Sequence, residues 1–126
     1  QALIFVSGPD VQFENNKDFI CTLNYIFNIE DNKLHLTVNR RSQDLLFGIP
    51  YDAVFEFLLM EKMLKELSCY YSNLQLGSYT MFANNVHIYE RNFEIFKKID
   101  EHPELTRIVN IHALVDKNVY DNLMKL

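Results

Sequence analysis

The side chains of this 126-residue chain that could do chemistry fall into a short series. Cys21 stands at the mouth of a strand, after an acidic and polar loop, where a thiolate could face a pocket. The plainer reading is a small buried apolar residue. Arg40-Arg41-Ser42 places two guanidinium forks and a hydroxyl together at a strand end, chemistry suited to an anion, although a solvated basic pair has the same sequence. Asp44 and Asp52 flank Gly48-Ile49-Pro50. Either aspartate could be a turn or cap residue, and for Asp52 a helix cap is the default. His87-Ile88-Tyr89 puts two polar rings on one side of a short segment, where they could hold a sugar hydroxyl or form a buried hydrogen-bonded pair.

The elements that would position these groups follow from periodicity. Ala2-Leu3-Ile4-Phe5-Val6 is an apolar run suited to a buried strand. A chain seldom opens inside a central strand, so a larger upstream part is expected. Ser7-Gly8-Pro9-Asp10 carries turn chemistry, and Asn15-Asn16-Lys17-Asp18 reads as surface loop. Beyond Cys21, Leu23, Tyr25, Phe27 and Ile29 fall on one face with Asn24 and Asn28 on the other; Leu34, Leu36 and Val38 alternate with His35, Thr37 and Asn39. The Glu30-Asp31-Asn32-Lys33 stretch between the two runs predicts a hairpin turn. A helix is expected from about Ala53 to Leu67, capped by Asp52. It is apolar on most sides, with Glu56, Glu61, Lys62, Lys65 and Glu66 forming a narrow wet stripe, the pattern of a helix at the centre of a domain. Leu74–Phe82 and Thr106–Leu114 read as strands, and Val86–Ile99 and Val115–Leu126 as helices. The fold class is α+β.

Composition narrows the function classes. At 48% hydrophobic, with ten Phe and seven Tyr, the chain can bury a core, and its length suits one domain. A net charge of -5 argues against a nucleic-acid polymer as partner, whereas a mononucleotide needs only one or two placed arginines. Cys21 and Cys69 are too few for a disulfide framework or a four-cysteine zinc site, and no metal is expected. No secretory signal is visible, and no apolar run reaches the ~18 residues of a membrane span. The expectation is a reduced, cytoplasmic protein that does not engage a membrane.

Taken in order, Cys21, Arg41-Ser42-x-Asp44, Gly48-Ile49-Pro50-Tyr51-Asp52 and His87-Ile88-Tyr89 resemble the second half of the thymidylate synthase and deoxycytidylate hydroxymethylase family. The likeness runs from about Ala2 to Asn92, with no gap between Cys21 and Asp52. Arg-Ser-x-Asp followed by Gly-x-Pro is its most specific block. It is nearest in character to phage deoxycytidylate hydroxymethylases, with Val11-Gln12-Phe13 and Asn16-Lys17-Asp18 ahead of the cysteine.

The resemblance implies a thymidylate synthase-like domain over residues 1–126, lacking its N-terminal part. It would be a twisted mixed or antiparallel sheet with a buried central helix. It implies that Cys21 is the nucleophile that adds to C6 of a pyrimidine. Arg41 and Ser42 would bind the nucleotide phosphate, Asp44 the pterin of 5,10-methylenetetrahydrofolate, Asp52 the base edge, and His87 and Tyr89 the deoxyribose. Gly48 would let the backbone approach the ligand. Departures bear on the substrate: Thr22 stands where thymidylate synthases usually have His, and Asp52 where they have Asn. After Asp100 the family's closing tail is not evident. The family's catalytic glutamate and the arginines that one subunit lends to the other lie upstream of Gln1, so the chain alone is expected to be inactive.

The first reading is therefore hydroxymethylation of dCMP. Methylation of dUMP to dTMP is the main alternative, and a non-catalytic binding or assembly remnant the rival from another class. The resemblance implies a homodimer in which the sheet packs on its twofold mate, through the apolar face of Leu23, Tyr25, Phe27 and Ile29 that few expected helices would cover.

Overall fold

The computed structural model describes residues 1–6, 8, 14–15, 19–103 and 117–125. Two compact units divide the chain, Gln1–His87 and Ile88–Leu126. Of the expected turn Ser7-Gly8-Pro9-Asp10 only Gly8 is described; the segments Val11-Gln12-Phe13 and Asn16-Lys17-Asp18 and the expected strand at Thr106–Leu114 lie outside the described residues.

In the first unit, β1 (Ala2–Phe5), β2 (Thr22–Glu30), β3 (Lys33–Arg40) and β5 (Gln75–Ala83) form a four-stranded sheet in the order β1-β2-β3-β5. The first two pairings are antiparallel and β3 pairs with β5 in parallel, so the sheet is mixed. Asp31 and Asn32 join β2 to β3 with both residues at positive φ (49° and 57°), as a two-residue primed turn requires. A parallel return needs a crossover, and α1 (Gly48–Leu67) supplies it. The short strands β4 (Gln43–Asp44) and β6 (Val86–His87) form a separate parallel pair.

Pairing register assigns the two faces of the sheet. Ala2, Phe27, Leu36 and Tyr79 form one cross-strand row, and Ile4, Tyr25, Val38 and Met81 the next. Tyr25, Phe27, Leu34, Leu36 and Val38 are buried with Met60, and Leu59, Met63, Leu64 and Leu67 of α1 pack against this cluster. Burying such side chains contributes about 1.5–3 kcal/mol each. The opposite face carries the row Leu3, Ile26, Thr37 and Thr80 and the row Phe5, Asn24, Asn39 and Phe82.

Several expectations change. The Ala2–Phe5 strand is an edge strand with all four residues exposed, not a buried central one. Leu23 lies at a bulge between Thr22 and Asn24, so Thr22 is the residue opposite Arg40. α1 starts a turn before the expected Ala53, with Phe47 at its N-cap and no side-chain cap bond, so Asp52 is a residue of the helix and not its cap. Pro50 is accommodated in that first turn, where no backbone N–H has an intrahelical acceptor. The helix is not buried all round: Tyr51 and Phe55 are exposed, while Glu56, placed in the wet stripe, is fully buried. Val86–Ile99 is not one helix: β6 and the 3-10 turn Glu90–Asn92 precede α2 (Phe93–Glu101). The last described element is α3 (Lys117–Leu123), within the expected closing helix.

Candidate active site

The sheet, β4 and the start of α1 converge where β3 ends. Thr22 pairs with Arg40, and the Arg41 amide donates to the Cys21 carbonyl at 2.9 Å, so the cysteine and the arginine pair are neighbours across two strands. The Arg41 side chain continues this junction. Its Nε donates to the Ile20 carbonyl (3.0 Å) and its Nη2 to the Phe19 carbonyl (2.6 Å), with the guanidinium 5.9 Å from the Phe19 ring. Arg41 thus fixes the two residues that lead into Cys21, while the residue itself stays exposed. Cys21 is half-buried and unbridged, and its Sγ lies 3.9 Å from the Phe19 carbonyl.

Ser42 is buried and its Oγ lies 3.2 Å from Nδ1 of His87. The strand pair β4–β6 brings them together: the Gln43 amide donates to Asn85 and the Leu45 amide to His87, at 2.8 and 2.9 Å. Asp44 turns back on its own chain, Oδ1 accepting from the Leu46 amide at 3.1 Å, a local turn that starts the approach to α1. Gly48 follows because a Cβ there would lie 2.6 Å from Nε2 of Gln43 and 3.1 Å from Cβ of Asp44. In this structure the room that Gly48 provides is filled by those side chains. Tyr89 belongs to the second unit, where the Arg91 guanidinium lies 4.9 Å from its ring centroid.

Beneath these groups runs a buried polar network that sequence reasoning missed. Arg40 donates from Nη1 to Oδ2 of Asp52 and from Nη2 to Oε1 of Glu56. Gln43 Nε2 donates to the same Asp52 oxygen at 3.0 Å, and the Tyr79 hydroxyl donates to Oε2 of Glu56 at 2.6 Å. The side chains of Arg40 and Glu56 are 3% and 0% exposed, that of Asp52 39%, so the network has a dry end and a wet end. Burial pulls the Arg40 guanidinium down, but the hydrogen bond and charge of Glu56, with Asp52 behind them, outweigh it and raise it above its ordinary value. Burial, then the hydrogen bond and charge of Glu56, push the Tyr79 hydroxyl up. Tyr25 moves the same way, by burial and then by the Glu56 charge. A signal for Arg40 exists in the sequence: it continues the Leu34, Leu36, Val38 alternation onto the buried face, and a charge there requires partners. Asp52 and Glu56 are four apart on one helix and meet that need.

The arrangement has a thiol next to an arginine, a serine paired to a histidine, and a carboxylate fixed from below. Among the described residues no helix is long and apolar enough to cross a membrane.

A sequence model of the family described as thymidylate synthase matches residues 12–124. That match extends past Asn92, where the likeness read from the sequence stops. The deoxycytidylate 5-hydroxymethyltransferase of Enterobacteria phage T4 is 30% identical over 99 residues, covering 74% of this chain and 40% of that protein. The thymidylate synthase of Symbiobacterium thermophilum is 36% identical over 63 residues, covering 50% of this chain and 20% of that protein. Among solved structures, the thermostable thymidylate synthase A from Bacillus subtilis superposes with a TM-score of 0.50 at 27% identity, covering 62% of this chain and 26% of that one. The chain therefore spans two fifths or less of the length of these relatives.

Proposed function

Because the chain belongs to the thymidylate synthase family, we propose that it is the nucleotide-binding, nucleophile-bearing part of a folate-dependent transferase that builds a hydroxymethyl group on C5 of dCMP. Cys21 Sγ adds to C6 of the pyrimidine, and the electron pair so displaced makes C5 nucleophilic. Methylenetetrahydrofolate supplies the one-carbon unit that C5 takes up. Loss of the C5 proton expels tetrahydrofolate and leaves an exocyclic methylene; water adds to that carbon, and departure of the Cys21 thiolate restores the ring with the hydroxymethyl group in place. Arg41 holds the approach to Cys21, and the Nη1 end of its fork is available to the phosphate together with Ser42. His87, paired to Ser42, binds the deoxyribose. Asp44, half-buried and followed in the chain by the exposed residues Leu45 and Phe47, binds the pterin in this reading.

The observation that carries the choice of dCMP is residue 52. Uracil offers an N3–H donor and an O4 acceptor, which an asparagine amide meets together. Cytosine offers an N3 acceptor and an N4 amino donor. A carboxylate accepts from the amino group, whereas uracil O4 would face a like partner. An unpaired buried polar group typically costs on the order of 1–3 kcal/mol, or one to two decades of discrimination. The whole protein, given methylenetetrahydrofolate, is expected to convert dCMP in preference to dUMP, with the preference moving toward dUMP in Asp52→Asn. A wild-type protein that prefers dUMP would make methylation of dUMP the better reading, and turnover of neither would favour a binding or assembly role.

The working unit is proposed to be a homodimer, but through a different face from the one expected. Leu23, Tyr25, Phe27 and Ile29 were to remain uncovered, whereas Tyr25 and Phe27 are buried in the cluster with Met60 of α1. The opposite face leaves Leu3, Phe5 and Phe82 exposed at 51%, 71% and 62%, and it is the face available to a second sheet.

A further inference from the structure

We infer that Arg40 is a positioning residue that selects cytosine over uracil by fixing the carboxylate of Asp52. The inference rests on the reading of Asp52 as the group that meets the base. Arg40 Nη1 and Gln43 Nε2 both donate to Oδ2 of Asp52, and among the described residues no hydrogen bond reaches Oδ1. One oxygen is therefore tied to the protein and the other is left to a ligand. A carboxylate gripped by a guanidinium is an acceptor only, so Oδ1 meets the N4 amino group of cytosine and repels O4 of uracil. Arg40 is in turn held from behind: Glu56 accepts from its Nη2 and is itself bound by the Tyr79 hydroxyl at 2.6 Å. Tyr79, Glu56 and Arg40 form a fixed series that ends at Asp52, the one member of the ionic group with substantial exposure. A guanidinium fork supplies what a lysine cannot, two donors at set angles that engage both carboxylates at once.

The test is a double-mutant cycle in the whole protein, with kcat/KM measured for dCMP and dUMP in the wild type, Arg40→Gln, Asp52→Asn and the combination. Arg40→Gln keeps an amide donor and removes the charge and the fork. It is expected to lower the dCMP to dUMP ratio about tenfold or more, chiefly through KM for dCMP, and to leave the ratio unchanged when Asp52 is already Asn. A merely structural role would lower kcat/KM for both nucleotides alike, or lower the ratio equally in both backgrounds, and either result overturns the inference. A ratio that moves in Asp52→Asn but not in Arg40→Gln overturns the role of Arg40 and leaves the base reading standing. A ratio unmoved by Asp52→Asn overturns both. Should Arg40→Gln not fold, because Glu56 is left buried and unpaired, Arg40→Gln with Glu56→Gln removes the two charges together and gives the same comparison.

Discussion

Arg40 shows how one side chain can link core and site. Its neighbours in the buried row, Leu34, Leu36 and Val38, are the ordinary content of such a face, and the charge is tolerated there because Glu56 and Asp52 answer it. The individual chemical groups were legible in the sequence as types: the cysteine, the Arg-Ser pair and the two aspartates could be named. Their partners were not, because Arg40, Gln43, Glu56 and Tyr79 come from four elements and meet only after the crossover is made. A consequence at this scale concerns alkaline pH. Tyr79 and Tyr25 are both raised, first by burial and then by Glu56, so each holds its proton more tightly when folded than when unfolded. Their contribution to stability is complete below the usual tyrosine range near 10 and is lost as pH rises through and beyond it. The thermal midpoint should accordingly stay level in its tyrosine-dependent part up to that range and fall above it. Tyr79→Phe removes a hydroxyl bond to a carboxylate and is expected to cost about 1.5–3 kcal/mol at neutral pH, with a shallower alkaline fall. An unchanged alkaline slope in that variant would contradict the assignment.

At the scale of elements, what the sequence conveyed best was local. The β2–β3 hairpin, its two-residue turn and the existence of α1 all follow from alternation, turn chemistry and helical period, which act over a few residues. What it conveyed poorly depends on partners far along the chain. The β1 run is as apolar as a central strand, yet it occupies the edge, because edge position is decided by which strands pair and not by composition. The bulge at Leu23 breaks the alternation that the amino-acid types suggest. Asp52 has the composition of a cap but lies within the helix, since the chain already turns at Leu45–Phe47 and Gly48 packs on Gln43. A second bulge is testable. Between the pairs Leu34–Leu76 and Leu36–Tyr79, β5 sets Gly77 and Ser78 against His35 alone. His35 Nδ1 accepts from the Ser78 amide at 3.0 Å and lies 2.8 Å from its hydroxyl. A Cβ on Gly77 would stand 2.7 Å from the His35 ring and 2.8 Å from the Leu34 carbonyl, and the latter is backbone that cannot swing away. Gly77→Ala is expected to destabilise by about 1–3 kcal/mol in denaturant titration, as overpacking does. A neutral effect would show that the bulge can open at no cost.

For the molecule as a whole, the mixed sheet has one face covered by α1 and the other carrying Phe5 and Phe82 on either side of the Asn24–Asn39 hydrogen bond (2.8 Å). If that second face meets its twofold mate, sedimentation of the whole protein at micromolar concentration should report a dimer. Phe5→Asp, which places a charge in an isologous interface twice, should shift it toward monomer. A wild-type monomer, or a dimer indifferent to Phe5→Asp, would contradict that interface. The family was legible from the order and spacing of a few residues, Cys21, Arg41-Ser42-x-Asp44 and Gly48 to Asp52, because residues that share one task keep their separations within a family. The face of Tyr25 and Phe27 was not legible as a covered one, because a strand pattern identifies an apolar face without saying what covers it. The central claim is that these parts act together to attack a pyrimidine through Cys21. The direct measurement is mass spectrometry of the whole protein incubated with 5-fluoro-2′-deoxycytidine monophosphate and methylenetetrahydrofolate, a fluorine at C5 preventing the proton loss that would release the enzyme. The account predicts a stable ternary adduct on the peptide containing Cys21, absent in Cys21→Ala; an adduct on Cys69, or none on the active wild-type protein, would contradict it.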